Sequence, residues 1–135
     1  MTTLFCPYCW FEIESGVVIC PQCQASLTED RRDYVDKLIG ALRHPEAFTQ
    51  RRAAYVLGLI GSPRALEALT VLLQSDQADP YVRAQAAETL GVIGTSQARS
   101  ALEQAARDAT QSVLVRRTAV IALEAAQRRQ ETGAA

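Results

Sequence analysis

The 135-residue chain has no cysteine outside residues 6–23, and all four of its cysteines lie within that stretch. It also has no apolar run that approaches the roughly 18 residues a membrane-spanning helix needs. The N-terminus lacks the basic and apolar segments of a secretory signal peptide. We therefore expect a cytoplasmic protein, in a compartment where disulfides are rare and paired Cys-x-x-Cys motifs more often bind metal.

Basic residues are missing from the first 28 positions, although the chain has 14 of them, and Lys37 is the only lysine. That N-terminal stretch contains two acids, Glu12 and Glu14, while the rest of the chain carries basic and acidic side chains in nearly equal number. A module without cations cannot release counterions from a phosphate backbone. The charge pattern therefore disfavours nucleic acid as a partner.

Histidine is also scarce, since His44 is the only one, and it precedes a proline. A lone imidazole without a neighbouring nucleophile or second base makes no catalytic pair. We therefore expect His44 to be a solvated turn residue and the chain to be non-enzymatic.

What the sequence does contain is two Cys-Pro-x-Cys steps, in the stretch CPYCWFEIESGVVICPQC. Tetrahedral zinc needs four donors at about 2.3 Å, and two such turns facing each other across a hairpin would supply them. The β-prone segments WFEI and VVIC, with Gly16 in the turn between them, predict that hairpin. Residues 1–25 thus resemble a short zinc ribbon with two rubredoxin-like knuckles. One structural zinc ion would be held by Cys6, Cys9, Cys20 and Cys23.

Two features depart from that resemblance. Trp10 and Gln24 stand where such knuckles often have glycine, and the ten residues between the cysteine pairs are fewer than usual. Four thiolates also suit iron, so a rubredoxin-like electron carrier is an alternative. With four protein sulfurs no coordination position stays open, which indicates a structural site. We expect the aromatic residues near the cysteines to pack the ribbon or dock it on a protein surface: Phe5, Tyr8, Trp10 and Phe11.

An internal repeat fills the rest of the chain. The segments QRRAAYVLGLIG, RAQAAETLGVIG and RRTAVIALEAAQ begin at positions 50, 83 and 116, an offset of 33 residues each time. An amphipathic helical pattern precedes each of them. Ser26 with Glu29 forms a candidate capping box, and Pro63 and Pro80 follow candidate N-caps. The sequence therefore predicts three helix pairs, over about 27–60, 63–93 and 97–129.

Two-helix units of this period, with arginine opening the second helix and AAxxLGxIG closing it, resemble HEAT-like repeats of the phycobilisome-lyase type. The resemblance covers residues 34–127 and implies a mainly α fold, a short α-solenoid of three HEAT-like helix pairs over residues 26–130. We expect the ribbon to cover the first helix and the third copy, which loses its glycines, to cap the other end. Residues 131–135 are expected to form a disordered tail.

Arginines recur at the start of the second helices, at Arg83, Arg116 and either Arg51 or Arg52. A cation at a helix N-terminus opposes the helix dipole, so we expect loop acids such as Asp79 and Asp108 to pair with them. Such pairs would tie adjacent repeats together. The alternative is that Arg52, Arg83 and Arg116 contact an anionic partner.

These features favour a non-enzymatic protein–protein interaction or scaffold module, with another protein as its partner and no association with a membrane. The resemblance to phycobilisome lyases implies an alternative role, as an accessory protein or subunit in attaching or releasing bilins, which are tetrapyrroles. Nucleic-acid binding and iron-based electron transfer are further alternatives. A stack of three repeats leaves an end that a second copy could cover, so a homodimer is also compatible with the sequence.

Overall fold

The computed structural model describes residues 4–133 of the chain. Two short strands, β1 (Leu4–Phe5) and β2 (Glu12–Ile13), form an antiparallel pair in which Leu4 lies opposite Ile13. Within the described residues the helices are α1 (Tyr34–Ala41), α2 (Ala47–Ile60), α3 (Leu66–Gln74), α4 (Pro80–Ile93), α5 (Ser96–Arg107) and α6 (Val113–Glu131). The mainly α fold with a small N-terminal hairpin is therefore confirmed.

Short polar side chains and prolines begin most of these helices. The Asp79 carboxylate accepts a hydrogen bond from the backbone N–H of Tyr81 at 2.8 Å, and Pro80 is the first residue of α4. Ser62 caps in the same way a 3₁₀ turn, Pro63–Ala65, that leads directly into α3. Since proline lacks the N–H that a first helical turn leaves unpaired, it fits these positions.

Glycines in the left-handed conformation end the second helices of the first two pairs. Gly61 has a φ of 71° and Gly94 a φ of 66°. Their N–H groups donate to the carbonyl oxygens of Leu57 and Leu90, at 2.8 and 2.9 Å. Glycine adopts this conformation without the steric cost of a Cβ, which is why both helices stop where the sequence indicated.

The first helix is shorter than the sequence suggested. α1 begins at Tyr34, and the Asp33 carboxylate caps it by accepting from the Asp36 N–H at 2.9 Å. The predicted capping box at Ser26 is wrong, because Ser26 instead forms a β-bridge with Ile19. The residues between Ser26 and α1 run along the ribbon, where side-chain contacts hold them.

The helices form two layers. The helices form three pairs, α1 with α2, α3 with α4 and α5 with α6, and the first helix of each pair packs on the second. The second helices, α2, α4 and α6, pack side by side in chain order. The core between the layers consists mainly of leucine and alanine. Its largest fully buried apolar side chains are Leu57, Leu69, Leu73, Leu90, Leu102, Val82 and Val115.

Small residues set the spacing between α4 and α6. A Cβ placed on Gly91 would lie 2.8 Å from the Cβ of Ala122, closer than two carbon atoms tolerate. One repeat earlier, the Thr89 hydroxyl donates to the Ala54 carbonyl oxygen at 2.7 Å beside Gly58. The equivalent position of the third copy is Glu124, so α6 cannot offer the same close approach to another helix.

Within residues 4–133, none of the helices combines the length and the apolar character needed to cross a membrane. The predicted disordered tail, residues 131–135, starts at the last residue of α6, and residues 134–135 lie outside the described part of the chain.

Candidate metal centre

The two Cys-Pro-x-Cys steps fold into knuckles with the same backbone hydrogen bonds. In each knuckle, the backbone N–H of the first cysteine donates to the carbonyl oxygen of the residue five positions later. The carbonyl oxygen of the same cysteine accepts from the backbone N–H of the residue four positions later. The pairs are Cys6 to Phe11 (2.9 Å), Trp10 to Cys6 (2.8 Å), Cys20 to Ala25 (3.0 Å) and Gln24 to Cys20 (2.9 Å). The repeated pattern turns both cysteine pairs toward a common centre.

Each knuckle is closed by its own short antiparallel pairing. β1 pairs with β2 around the first knuckle, and the Ile19–Ser26 bridge closes the second. The expected pairing of WFEI with VVIC is therefore wrong, although Gly16 between them does have a positive φ, 91°. Within the described residues, the antiparallel pairing therefore lies around each knuckle and not between the two segments that flank Gly16.

Trp10 and Gln24 adopt the backbone conformation that glycine usually supplies in such knuckles. Their φ angles are 62° and 64°, and they are the residues other than glycine with positive φ in residues 4–133. The departure of the sequence from the ribbon pattern thus changes the side chain but not the path of the chain. A left-handed non-glycine residue carries a steric cost of roughly 1–2 kcal/mol, so Trp10 needs compensating contacts.

The four sulfur atoms lie at distances that suit one tetrahedral metal ion. Sγ of Cys6 and Sγ of Cys23 are 3.7 Å apart, as are those of Cys9 and Cys20. All four ligand atoms lie within 4.8 Å of one another, and the thiols are free. Metal–sulfur bonds of about 2.3 Å in a tetrahedron place the sulfurs about 3.8 Å apart. The set could therefore hold a metal ion.

The thiols differ in how readily they ionise. Burial acts to raise the pKa of Cys20, but backbone N–H groups of Cys23 and Gln22 help to lower it to about 7. The backbone at Phe11 acts to lower the pKa of Cys9, but burial and the neighbouring thiols raise it to about 12. Four adjacent thiols cannot all become anions without a cation, so a metal ion would complete the charge balance.

The first knuckle is docked on the helical stack through Trp10 and His44. The indole Nε1 of Trp10 donates to the Gly40 carbonyl oxygen at 2.8 Å, near the end of α1. The His44 ring packs edge-on against Trp10, with ring centroids 4.7 Å apart, and against Phe5 at 5.4 Å. The expectation of a solvated His44 is wrong, because the ribbon half-buries it, a contact that local sequence gives no sign of.

Two arginines bind backbone oxygens of the same knuckle. Arg32 donates to the Pro7 carbonyl oxygen at 3.2 Å, and its guanidinium carbon lies 4.3 Å from the centre of the Tyr8 ring. Arg43 donates to the Tyr8 carbonyl oxygen at 3.4 Å. Asp30 binds Arg32 through both carboxylate oxygens, at 3.0 and 2.7 Å, which holds the pKa of that carboxyl well below its usual range. Arg32 and Arg43 lack periodicity, so sequence reasoning missed them.

Arg83 ties two repeats together through an amide instead of an acid. Its Nη1 donates to the Gln111 side-chain oxygen at 2.6 Å, and the buried Gln111 amide donates to the Leu73 carbonyl oxygen at 2.8 Å. Asp79, the expected partner, caps α4 instead. The inter-repeat contact thus exists, but its partner differs from the expected one.

Arg116 and Arg52 occupy different settings. Within residues 4–133, Arg116 forms no ion pair. Hydrogen bonds from Thr110 are the main cause of the lowered pKa of Asp108, and the charge of Arg116 lowers that pKa further. Arg52 is exposed. At the offset of 33 residues, Gln50 takes the position of Arg83 and Arg116, and it donates to the Leu42 carbonyl oxygen at 3.0 Å.

The helical part of the chain matches a known family along almost its whole length. Residues 25–79 and 76–134 match the family model described as HEAT repeats. The chain belongs to the HEAT-repeat family. Among curated proteins, none has a sequence that matches this chain significantly.

A solved structure similar to these HEAT repeats is that of human deoxyhypusine hydroxylase in complex with glycerol. The TM-score is 0.68 and the sequences are 28% identical over 73% of this chain. The matched region is 34% of the hydroxylase, so this chain spans about a third of that enzyme. That neighbour is itself an enzyme.

Two further surfaces of the HEAT stack are candidate binding sites. A groove of about 900 Å³ runs between α1 and α3, with Ile39, Leu72 and Val71 among its apolar residues and Tyr8 of the ribbon at its edge. The second surface is formed by α2, α4 and α6, which expose apolar side chains at corresponding positions of the repeat. The largest exposed fractions there are those of Phe48, Leu59, Tyr81 and Ile121.

Proposed function

We propose that this chain is a non-enzymatic protein–protein interaction module, in which a structural zinc ribbon stabilises the first layer of a short HEAT stack. The observation that carries the proposal is the row of apolar side chains exposed by the second helices. Phe48, Tyr81 and Leu114 occupy equivalent positions of α2, α4 and α6 and are 70%, 61% and 39% exposed.

The second helices that carry this row pack side by side. The guanidinium of Arg51 on α2 lies 5.9 Å from the ring centre of Tyr81 on α4, so the two helices meet at this face. A second set of equivalent positions holds Tyr55, Glu88 and Ile121, of which the two apolar residues are 53% and 61% exposed. Exposed apolar side chains at equivalent positions of adjacent helices are more typical of an interaction site than single exposed apolar residues, which are ordinary.

Zinc is the metal that best fits the ribbon. The four sulfurs lie within 4.8 Å of one another, which suits the tetrahedral four-thiolate set of structural zinc sites, and such a set would leave no open position for water or substrate. Iron fits the same ligands in a rubredoxin-like centre, and elemental analysis separates the two metals. Four free thiols suit a reducing compartment such as the cytoplasm.

Site-specific photo-crosslinking in the source cells tests the interaction proposal. A photoreactive phenylalanine analogue would replace Tyr81 in one variant and the exposed Glu103 of α5 in a matched control. We expect a protein adduct of defined mass from position 81 and much less from position 103. An adduct of twice the chain mass would identify a second copy as the partner. Equal labelling at both positions, or none at position 81, would contradict the proposal.

The groove between α1 and α3 supports a second candidate, a role in handling a bilin. Its volume lies in the range of small-molecule sites, and its lining combines apolar residues with charged ones, among them Arg43 and Glu67. The similarity to a hydroxylase supports a catalytic alternative. A metal ion bound by four sulfurs, however, would have no free coordination position at which a substrate could react. Adding a bilin and recording its absorption band tests this candidate, and an unchanged spectrum rejects it.

A further inference from the structure

We infer that the face formed by α2, α4 and α6 binds an acidic, amphipathic segment of its partner protein. This face consists of Phe48, Arg51, Arg52, Tyr55 and Leu59 on α2, Tyr81, Glu88 and Val92 on α4, and Leu114, Arg117 and Ile121 on α6. The inference rests on the proposed interaction function and adds the chemical class of the partner segment.

The apolar part of the face has the spacing of a helix-binding surface. On α2, Phe48, Tyr55 and Leu59 lie seven and four residues apart, which places them on one side of the helix. The equivalent residues of α4 include Tyr81 and Val92, which are 61% and 49% exposed. A partner helix that presents apolar side chains at similar intervals could bury both rows together.

The charged part of the face is mainly positive. Arg51, Arg52 and Arg117 are exposed, and within the described residues none of them forms an ion pair. Ion pairs in that part of the chain belong to Arg31, Arg32 and Arg64, near the ribbon and α1. Glu88 on α4 is acidic, and the exposed Glu124 lies seven residues after Arg117 on α6, so three arginines stand against two carboxylates and the net charge there is positive. Carboxylates on a partner segment would match it.

Nucleic acid would match the arginines and the tyrosines but not the rest of the face. Its aliphatic side chains, such as Leu59, Val92 and Ile121, have no counterpart on a phosphate backbone. Glu88 lies between the arginine-bearing helices and would repel phosphates. An acidic peptide can place its own apolar side chains against the aliphatic residues, so the observations favour a protein segment.

Selection from a displayed library of random 16-residue peptides tests the inference. Binders are selected on the full-length protein, and the enriched sequences are synthesised and measured by fluorescence anisotropy. We expect enriched peptides to be acidic, with apolar residues three or four positions apart. Changing Arg51, Arg52 and Arg117 to Glu should weaken binding about tenfold or more, and added salt should weaken the wild-type complex.

A matched control carries the same change of charge elsewhere. Arg31, Lys37 and Arg107 are exposed and lie outside the face, so changing all three to Glu should leave peptide binding within about twofold. Circular dichroism confirms that both triple variants keep their helices. Neutral or basic peptides, no enrichment, equal losses in the two triple variants, or tighter binding of a single-stranded oligonucleotide would each overturn the inference. Crosslinking at position 81 together with neutral or basic peptides would leave the interaction function standing without this partner class.

Discussion

The indole Nε1 of Trp10 donates a 2.8 Å hydrogen bond to the Gly40 carbonyl oxygen, which links the cysteine ribbon to the first helix of the stack. The same residue has a φ of 62°, a conformation that favours glycine. Glycine at position 10 would give the easier knuckle but would lose the indole. The strained residue is therefore explained by its contact with the stack.

Replacing Trp10 with glycine should separate these two effects. The variant should still bind one metal ion, but the free energy of unfolding should fall by about 2 kcal/mol, because the indole contacts with Gly40 and His44 are lost. Gln24→Gly is the control, since Gln24 has the same backbone conformation without a contact to the stack, and it should change stability by less than about 1 kcal/mol. Urea unfolding measures both. Equal effects would mean that docking contributes little.

Removal of the metal should loosen the ribbon and leave the helices largely formed. We expect one zinc ion per chain by elemental analysis, and its loss after chelation or in Cys20→Ser. The melting midpoint should fall by roughly 5 °C or more while most of the helical circular dichroism remains. Ser26→Ala, within the ribbon but not at a ligand, should keep both zinc and midpoint. A coloured, iron-containing protein, or a midpoint unaffected by chelation, would contradict this prediction.

The Gln111 side chain should be the most costly polar group of the stack to remove. Gln111→Leu keeps the approximate volume but leaves the Leu73 carbonyl oxygen and Arg83 without their partner, which should cost about 2–3 kcal/mol of unfolding free energy. Gln104→Leu removes an exposed amide and should cost less than about 0.5 kcal/mol. Equilibrium unfolding in urea measures both. A Gln111→Leu variant as stable as wild type would show that the bridge between repeats is dispensable.

The spacing between α4 and α6 should be sensitive to a single methyl group. Gly91→Ala places a Cβ 2.8 Å from that of Ala122 and should destabilise the stack by about 2 kcal/mol, despite the better helix propensity of alanine. At Gly58 the nearest atom is the Thr89 hydroxyl oxygen, at 3.1 Å, and Gly58→Ala should stay within about 1 kcal/mol of wild type. Thermal unfolding of the two variants compares them. The opposite order of stability would show that the helices move apart at little cost.

The parts of this fold that the sequence predicted are those with local chemistry. The spacing of Cys6, Cys9, Cys20 and Cys23 indicated one metal site, and the structure brings their sulfurs together. The 33-residue repeat indicated the helix pairs, since helix periodicity and glycine stops depend on neighbours along the chain.

The parts that it missed depend on contacts between distant segments. Ser26 has the sequence signature of a helix cap, but pairing with Ile19 in the ribbon takes its place and α1 starts later. The sequence around His44 indicates a loop residue, and the contact of its ring with Trp10 exists only in the folded protein. Arg83 finds an amide instead of a carboxylate because Gln111 comes from the next helix pair. Local patterns carry no information about such partners.

Among residues 4–133, the hydrogen bonds and ring contacts that join the ribbon to the stack go to α1, the loop that follows it and the segment just before it, through Gly40, Arg32, Arg43 and His44. In a repeat stack each unit senses only its immediate neighbours. Binding or loss of the metal should therefore affect the structure most around Phe48 on α2 and least around Leu114 on α6. A ligand that lies across α2, α4 and α6 would therefore have metal-dependent contacts with α2, while its contacts with α6 would not depend on the metal.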